Sequence, residues 1–301
     1  MNPTERIHTF GADGSLLGIV SLPPGDDGSS AASNGATSRP FVILLNAGLV
    51  HRAGPFGMSV ELARRLAAQG FRVLRFDQAG LGDSLPRSGP AAPQPTVADG
   101  RAAIDFLSQR YGAQRFVVGG LCSGAMNAHH LCRADARVSG IWLLDGYAYP
   151  TRLYYRQLVL RKLRKPETWV ASAERLVATA TRRLGGAHAL RTGPPPSEPL
   201  EVSGAREALF FQDWPPIEDA RLQLQQMLER GARMLYVYTG GWSSFVAEKQ
   251  FDEMFPRLEG RQQITVKYNP EADHSYFARA DREAMFGQVE SFMKSFPLER
   301  P

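Results

Sequence analysis

The sequence is most constrained by an alternation of short apolar runs with segments of helical spacing. The apolar runs cover residues 41–46, 71–76, 115–120 and 138–145. Helical spacing covers residues 56–69, 96–111 and 123–134. Runs that are apolar throughout predict strands buried on both faces, and helices between them predict parallel connections. We therefore expect an α/β fold class, with a mostly parallel central sheet and helices on both faces.

The alternation breaks after residue 149 and resumes near residue 216. Further helices are predicted at residues 217–230, 245–255 and 282–296, and further strands at residues 6–10, 16–22, 234–238 and 264–268. The domains expected from this are a core of residues 1–149 and 216–301, an inserted helical cap of residues 150–215, and a flexible loop of residues 23–40. The loop is rich in Gly, Ser, Ala and Asp and has no periodicity.

The positive charge of the chain is concentrated in the predicted cap. Residues 149–191 contain ten Lys or Arg against two Asp or Glu, a net +8, whereas the whole chain carries only +5. A basic segment of this kind favours an anionic partner, such as a coenzyme A thioester, a carrier-protein thioester or an acidic glycan. Because no nucleic-acid-binding motif accompanies it, we do not expect a nucleic-acid partner.

The two cysteines and the apolar runs indicate a reduced, non-membrane protein. Cys122 and Cys132 are too few for a disulfide framework, and no metal-ligand spacing surrounds them. No apolar run approaches the roughly 20 residues of a membrane span, and the first residues lack an apolar signal segment. The sequence predicts a cytoplasmic protein with no cofactor and no metal, and it leaves the oligomeric state open.

The segment GGLCSGA, residues 119–125, follows a predicted strand and precedes a predicted helix. A reactive side chain held on a sharp strand-to-helix turn needs small neighbours, and Gly120 and Gly124 flank Cys122 at that spacing. The helix N-terminus favours the thiolate form of Cys122, and Ser123 follows with a backbone N–H for an oxyanion hole.

Three alternatives remain for this turn. Cys122 could be a small buried residue at a tight junction. A phosphate-binding loop would require glycine patterns that the segment lacks. Ser123 could be the nucleophile if the frame shifted by one residue, but Leu121 would then replace a flanking glycine.

The loop after the first core strand reads NAGLVHRAGP. Gly48 or Leu49 is expected to give the second backbone N–H of the oxyanion hole. His51 and Arg52 either bind substrate or anchor this loop. The run DQAGLGDS after the next strand is interpreted as structural.

The catalytic base is predicted to be His274, which lies after the last predicted strand and before the last helix. No carboxylate follows the strand at residues 234–238 before Glu248, so the acid is sought one strand earlier. Asp145, at the end of the strand before the cap, is the candidate, although it could instead cap the start of the insertion. Tyr147 and Trp242 are the aromatic candidates for substrate binding.

The motifs NAGLVHRAGP, DQAGLGDS, GLCSGA and DHSYF occur in an order that resembles the α/β-hydrolase superfamily, from about residue 41 to residue 293. Within it, the G-x-C turn is similar to dienelactone hydrolases and, more closely, to hydrolases associated with exosortase systems. The resemblance implies an α/β-hydrolase fold and a Cys–His–Asp enzyme acting on an ester, thioester or lactone. The sequence departs from the superfamily pattern where the usual acid is missing.

Three functions fit these residues. The first is a hydrolase that forms an acyl intermediate on Cys122 and releases it with water. The second is an acyltransferase that passes the same acyl group to an amine or alcohol, which a cysteine favours because a thioester is aminolysed more readily than it is hydrolysed. The third is a non-catalytic binding module, against which the presence of both Cys122 and His274 argues.

Overall fold

The computed structural model describes residues 3–29, 39–87, 94–163, 214–241 and 244–296. Within these ranges, eight strands form one sheet in the order β1-β2-β4-β3-β5-β6-β7-β8. The strands are β1 Thr4–Phe10, β2 Leu16–Leu22, β3 Phe41–Leu44, β4 Val73–Phe76, β5 Phe116–Leu121, β6 Val138–Leu144, β7 Arg233–Thr239 and β8 Ile264–Asn269. Only the pairings of β2 with β1 and with β4 are antiparallel; the other neighbours are parallel.

Helices cover both faces of this sheet. They are α1 Met58–Ala68, α2 Pro95–Tyr111, α3 Ser123–Ala134, α4 Arg152–Leu163, α5 Ile217–Glu229, α6 Gln250–Met254 and α7 Arg279–Lys294. The buried side chains of α1 and α7 join one apolar cluster, whereas those of α2, α3, α5 and α6 join a second cluster. The two clusters lie on opposite faces of the sheet, which confirms the predicted α/β architecture.

Strand β3 explains why the apolar runs are continuous. Successive strand residues point to opposite faces. Phe41 and Ile43 accordingly join the cluster with α2 and α3, while Val42 and Leu44 join the cluster with α1 and α7. Each is at most 5% exposed. Burial on both faces contributes about 1.5–3 kcal/mol for each large apolar side chain, so a polar residue at any of these positions would be costly.

The helix expected at residues 245–255 is shorter than predicted and covers only Gln250–Met254. The cause is the buried side chain of Gln250. Its amide donates to the carbonyl of Ser244 at 2.6 Å and accepts from the N–H of Val246 at 2.9 Å. These bonds satisfy the backbone of the preceding segment without helical hydrogen bonds.

Of the predicted cap, the structure describes residues 150–163 and 214–215, which include α4. The remainder of the cap, residues 30–38 of the predicted loop and Trp242 lie outside the described residues. None of the helices in the described part of the chain combines the length and apolar character that a bilayer crossing requires.

Candidate active site

Cys122 forms the sharp turn between β5 and α3. Its backbone has φ 58° and ψ −118°, a region that non-glycine residues rarely adopt. The turn is crowded: a Cβ on Gly120 would lie 2.6 Å from the carbonyl carbon of Gly124, and a Cβ on Gly124 would lie 2.5 Å from the carbonyl oxygen of Asn46. Only glycine fits at these two positions. The side chain of Cys122 is partly exposed.

His274 lies in the loop between β8 and α7, at the same end of the sheet as Cys122. Its Nδ1 is 2.9 Å from Oδ2 of Asp145. Its side chain also hydrogen-bonds that of Cys122. The imidazole thus bridges a carboxylate and a thiol, which is the arrangement that the sequence predicted for these three residues.

The charged partners of His274 change its protonation. The hydrogen bond that His274 makes to Asp145, followed by the one with Cys122, raises the pKa of His274 to about 9, against the opposing effect of partial burial. A negative neighbour stabilises the imidazolium more than desolvation destabilises it. The protonated ring is therefore the favoured form at neutral pH.

Asp145 is fully buried directly after β6, with φ 47°. Besides His274, its carboxylate accepts the backbone N–H of Thr239 at 2.7 Å and the hydroxyl of Thr239 at 2.6 Å. Three hydrogen bonds compensate the desolvation of the charge and fix its orientation. Thr239 was not predicted from the sequence, although it ends β7, the strand beside β6, where an acid was sought.

Gly48 and Ser123, two of the predicted oxyanion-hole residues, are in direct contact. The N–H of Gly48, which has φ 54°, donates to Oγ of Ser123 at 2.6 Å. Ser123 is the first residue of α3, next to Cys122. The third, Leu49, is 54% exposed, and its turn is closed by a hydrogen bond from Val50 N–H to the carbonyl of Ala47.

His51 and Arg52 are held by carboxylates of the DQAGLGDS turn. Arg52 N–H donates to the buried Asp77 at 2.6 Å, and its guanidinium lies 2.7 Å from Asp83. His51 is 3.3 Å from Asp83. These contacts correspond to the loop-anchoring alternative for both residues.

Among the residues that the structure describes, one group of side chains has the spacing of metal ligands. Ligand atoms of His51, Asp77 and Asp83 lie within 4.8 Å of one another. The guanidinium of Arg52 contacts both carboxylates. One cation of this protein therefore already offsets part of the negative charge that would attract a metal ion.

Tyr147 is fully buried and does not offer a surface to a substrate in this structure. Its hydroxyl lies 2.9 Å from that of Tyr236 and 3.4 Å from Nδ1 of His129. Its hydrogen bonds and ring contacts place Tyr147 in the core, and its contact with a substrate stays a prediction. Trp242, the other aromatic candidate, lies outside the described residues.

Comparisons with known proteins bear on the fold. A family model described as alpha/beta hydrolase fold matches residues 40–183. The solved structure of a hypothetical protein from Pseudomonas aeruginosa is 16% identical with a TM-score of 0.55, and the match covers 97% of this chain and 93% of that chain. An esterase from Pyrococcus furiosus is 17% identical with a TM-score of 0.55, covering 97% of this chain and 90% of that chain.

At these identities the structural similarities establish the architecture alone. Among proteins of curated function, none matches this chain.

Proposed function

We propose that this chain, which has the α/β-hydrolase fold, cleaves an ester or thioester through an acyl intermediate on Cys122. One observation carries the proposal: the His274 imidazole hydrogen-bonds Asp145 on one side and Cys122 on the other. A thiol, a base and an orienting carboxylate in this order are the parts of a nucleophilic acyl-transfer site. A protein of the same architecture from Pyrococcus furiosus is an esterase, so esters are among the first substrates to test.

In the first half of the reaction, the Cys122 thiolate attacks the acyl carbon and a carbon–sulfur bond forms. The carbonyl electron pair moves to oxygen, where donors near Gly48 and Ser123 stabilise it. As the tetrahedral species collapses, the imidazolium of His274 gives its proton to the departing alkoxide or thiolate. The acyl group then remains on sulfur as a thioester.

In the second half, water enters and His274 is the general base. The neutral imidazole takes a proton from water while the oxygen bonds to the acyl carbon, and collapse returns the electron pair to the Cys122 sulfur. The acid product leaves, and the thiolate–imidazolium pair is restored. Asp145 keeps Nδ1 protonated throughout, so that the other ring nitrogen exchanges the proton.

The basic cap suggests which substrates to test first. Residues 149–191 carry a net +8, so thioesters of coenzyme A or of a carrier protein, which are anionic, suit this chain best. Neutral esters of the same acyl group separate the contribution of charge from that of the acyl pocket.

The direct test is mass spectrometry of the protein incubated with activated esters and thioesters of graded acyl length. We expect one acyl adduct on Cys122. Cys132 provides the matched control, because it is fully buried and its pKa is raised to about 12 by that burial. Cys132→Ala should keep the adduct, whereas Cys122→Ala should lose it.

The fate of the adduct selects among the functions. Release by water at the rate of turnover supports the hydrolase. Release that is faster with an added amine or alcohol assigns the chain to acyl transfer instead. The catalytic proposal is wrong if no donor acylates Cys122 while a ligand binds tightly, since that is the behaviour of a binding module.

A further inference from the structure

Ser123 directly follows Cys122, and its hydroxyl contacts the backbone amide of Gly48. Gly48 N–H donates to Ser123 Oγ at 2.6 Å, a short distance for an N–H···O bond. A serine hydroxyl accepts with its lone pairs and keeps one proton to donate. Among the residues that the structure describes, none accepts that proton. The buried Ser123 therefore has a hydroxyl proton that no described residue accepts.

We propose that the Ser123 hydroxyl itself donates to the oxyanion during acylation, together with the backbone N–H of Ser123. This inference rests on the proposed function, and it replaces the Gly48 N–H with the Ser123 hydroxyl as the second direct donor to the oxyanion. The Gly48 amide does not donate to the oxyanion; it donates to the Ser123 hydroxyl and polarises it.

The chemistry favours this arrangement over two backbone donors. A hydroxyl whose oxygen accepts a hydrogen bond becomes a better donor, because successive hydrogen bonds polarise one another. The hydroxyl belongs to the residue next to the nucleophile, and it lies at the N-terminus of α3, whose dipole favours negative charge. The donor, the amide behind it and the helix end therefore all stabilise the same oxygen.

No proton is transferred in this step. As the bond between the Cys122 sulfur and the acyl carbon forms, the carbonyl π electrons move to oxygen, and Ser123 O–H shortens its hydrogen bond to that oxygen. When the electron pair returns and the bond to the leaving group breaks, the proton for that group comes from His274. Ser123 keeps its own proton both when the tetrahedral species forms and when it collapses.

The test compares acylation of Cys122 by a matched pair of esters, one with a carbonyl oxygen and one with sulfur in its place. Sulfur is a weak hydrogen-bond acceptor, so a thionoester gains little from a hydroxyl donor. For the oxygen ester we expect Ser123→Ala to lower the acylation rate about 100-fold, with little change in substrate binding. For the thionoester we expect a loss several-fold smaller, and Ser123→Thr should recover part of the rate.

Ser21→Ala is the matched control, since it removes another buried serine hydroxyl, on β2, that bonds Glu5 at 3.2 Å. It should leave both rates within about two-fold. The inference is overturned if Ser123→Ala slows both esters equally, because that indicates a loosened loop. It is also overturned if the variant is unchanged or faster, because the hydroxyl then only blocks the Gly48 amide. Failure of the wild type to acylate at all refutes the proposed function instead.

Discussion

Two histidines of this chain, His274 and His129, have hydrogen-bond partners of different charge, and their pKa values move in opposite directions. The carboxylate of Asp145 helps to raise the pKa of His274 to about 9. Complete burial lowers the pKa of His129 to about 3, although Gln223 lies 2.7 Å from its Nε2. A neutral partner therefore does not offset the desolvation of an imidazolium, whereas a buried carboxylate does.

The surroundings of His129 are consistent with a permanently neutral ring. Both contacts are satisfied when Nε2–H donates to Gln223 and Nδ1 accepts from the hydroxyl of Tyr147. Tyr147 can in turn accept from Tyr236. His129 thus belongs to the packing of the molecule, and His274 to its candidate chemistry.

The largest expected effect is the difference in acylation rate between variants of His274 and of His129. His274→Gln removes the base and should slow acylation of Cys122 by about 10³-fold or more. His129→Gln keeps a hydrogen-bonding side chain in the core and should change the rate by less than about three-fold. Both are measured by mass spectrometry of the adduct, with circular dichroism as the folding control. Equal losses in the two variants would contradict the division.

The next effect concerns the carboxylate. Asp145→Asn should slow acylation about 100-fold, because the amide neither stabilises the imidazolium nor fixes its tautomer. The pKa of His274 should fall from about 9 towards 6.5. An NMR titration of the ring measures this shift. A His274 pKa that stays near 9 in this variant would show that Asp145 does not cause the difference between the histidines.

A smaller effect is expected at Thr239, whose hydroxyl lies 2.6 Å from Asp145. Thr239→Val preserves the shape and the backbone N–H but removes one hydrogen bond to a buried charge, which should slow acylation about ten-fold. Thr239→Ser should recover most of the rate. The pH profile of acylation is the second readout, and an unchanged profile would assign Thr239 to packing alone.

The smallest effect is a dependence of stability on pH. Because the pKa of His274 is raised from 6.5 to about 9 on folding, its contribution is complete below pH 6.5 and is lost as pH rises towards 9. Since a third of the side chain is exposed, we expect only on the order of 1 kcal/mol after solvent screening. Urea unfolding of the wild type and His274→Gln between pH 6 and 9.5 measures it. A constant difference across this range would contradict the raised pKa.

The fold was predictable because the alternation of apolar runs with segments of helical spacing repeats along the chain. Strands β3, β4, β5 and β6 were identified from continuous apolar runs, to within two residues at each end. The failure at α6 had a local cause: the side chain of Gln250 replaces helical bonds with its own, and no periodicity records that.

The candidate site was predictable where a residue follows a strand at the carboxyl end of the sheet. Cys122, Asp145 and His274 all do so, and the structure brings their side chains together. Thr239 was missed because a threonine that ends a strand resembles any other strand residue until its partner is known. The complete burial of Tyr147 was not predictable, because its closeness to Asp145 in sequence says nothing about the direction of its ring.

The ribosome synthesises Cys122 and Asp145 well before His274. Cys122 directly precedes α3 and Asp145 directly follows β6, whereas His274 lies 129 residues after Asp145. A nascent chain therefore carries its sulfur long before a base can reach it. The proposed acylation of Cys122 should therefore begin only when β8 and the loop after it have docked, and an incomplete chain should not be acylated.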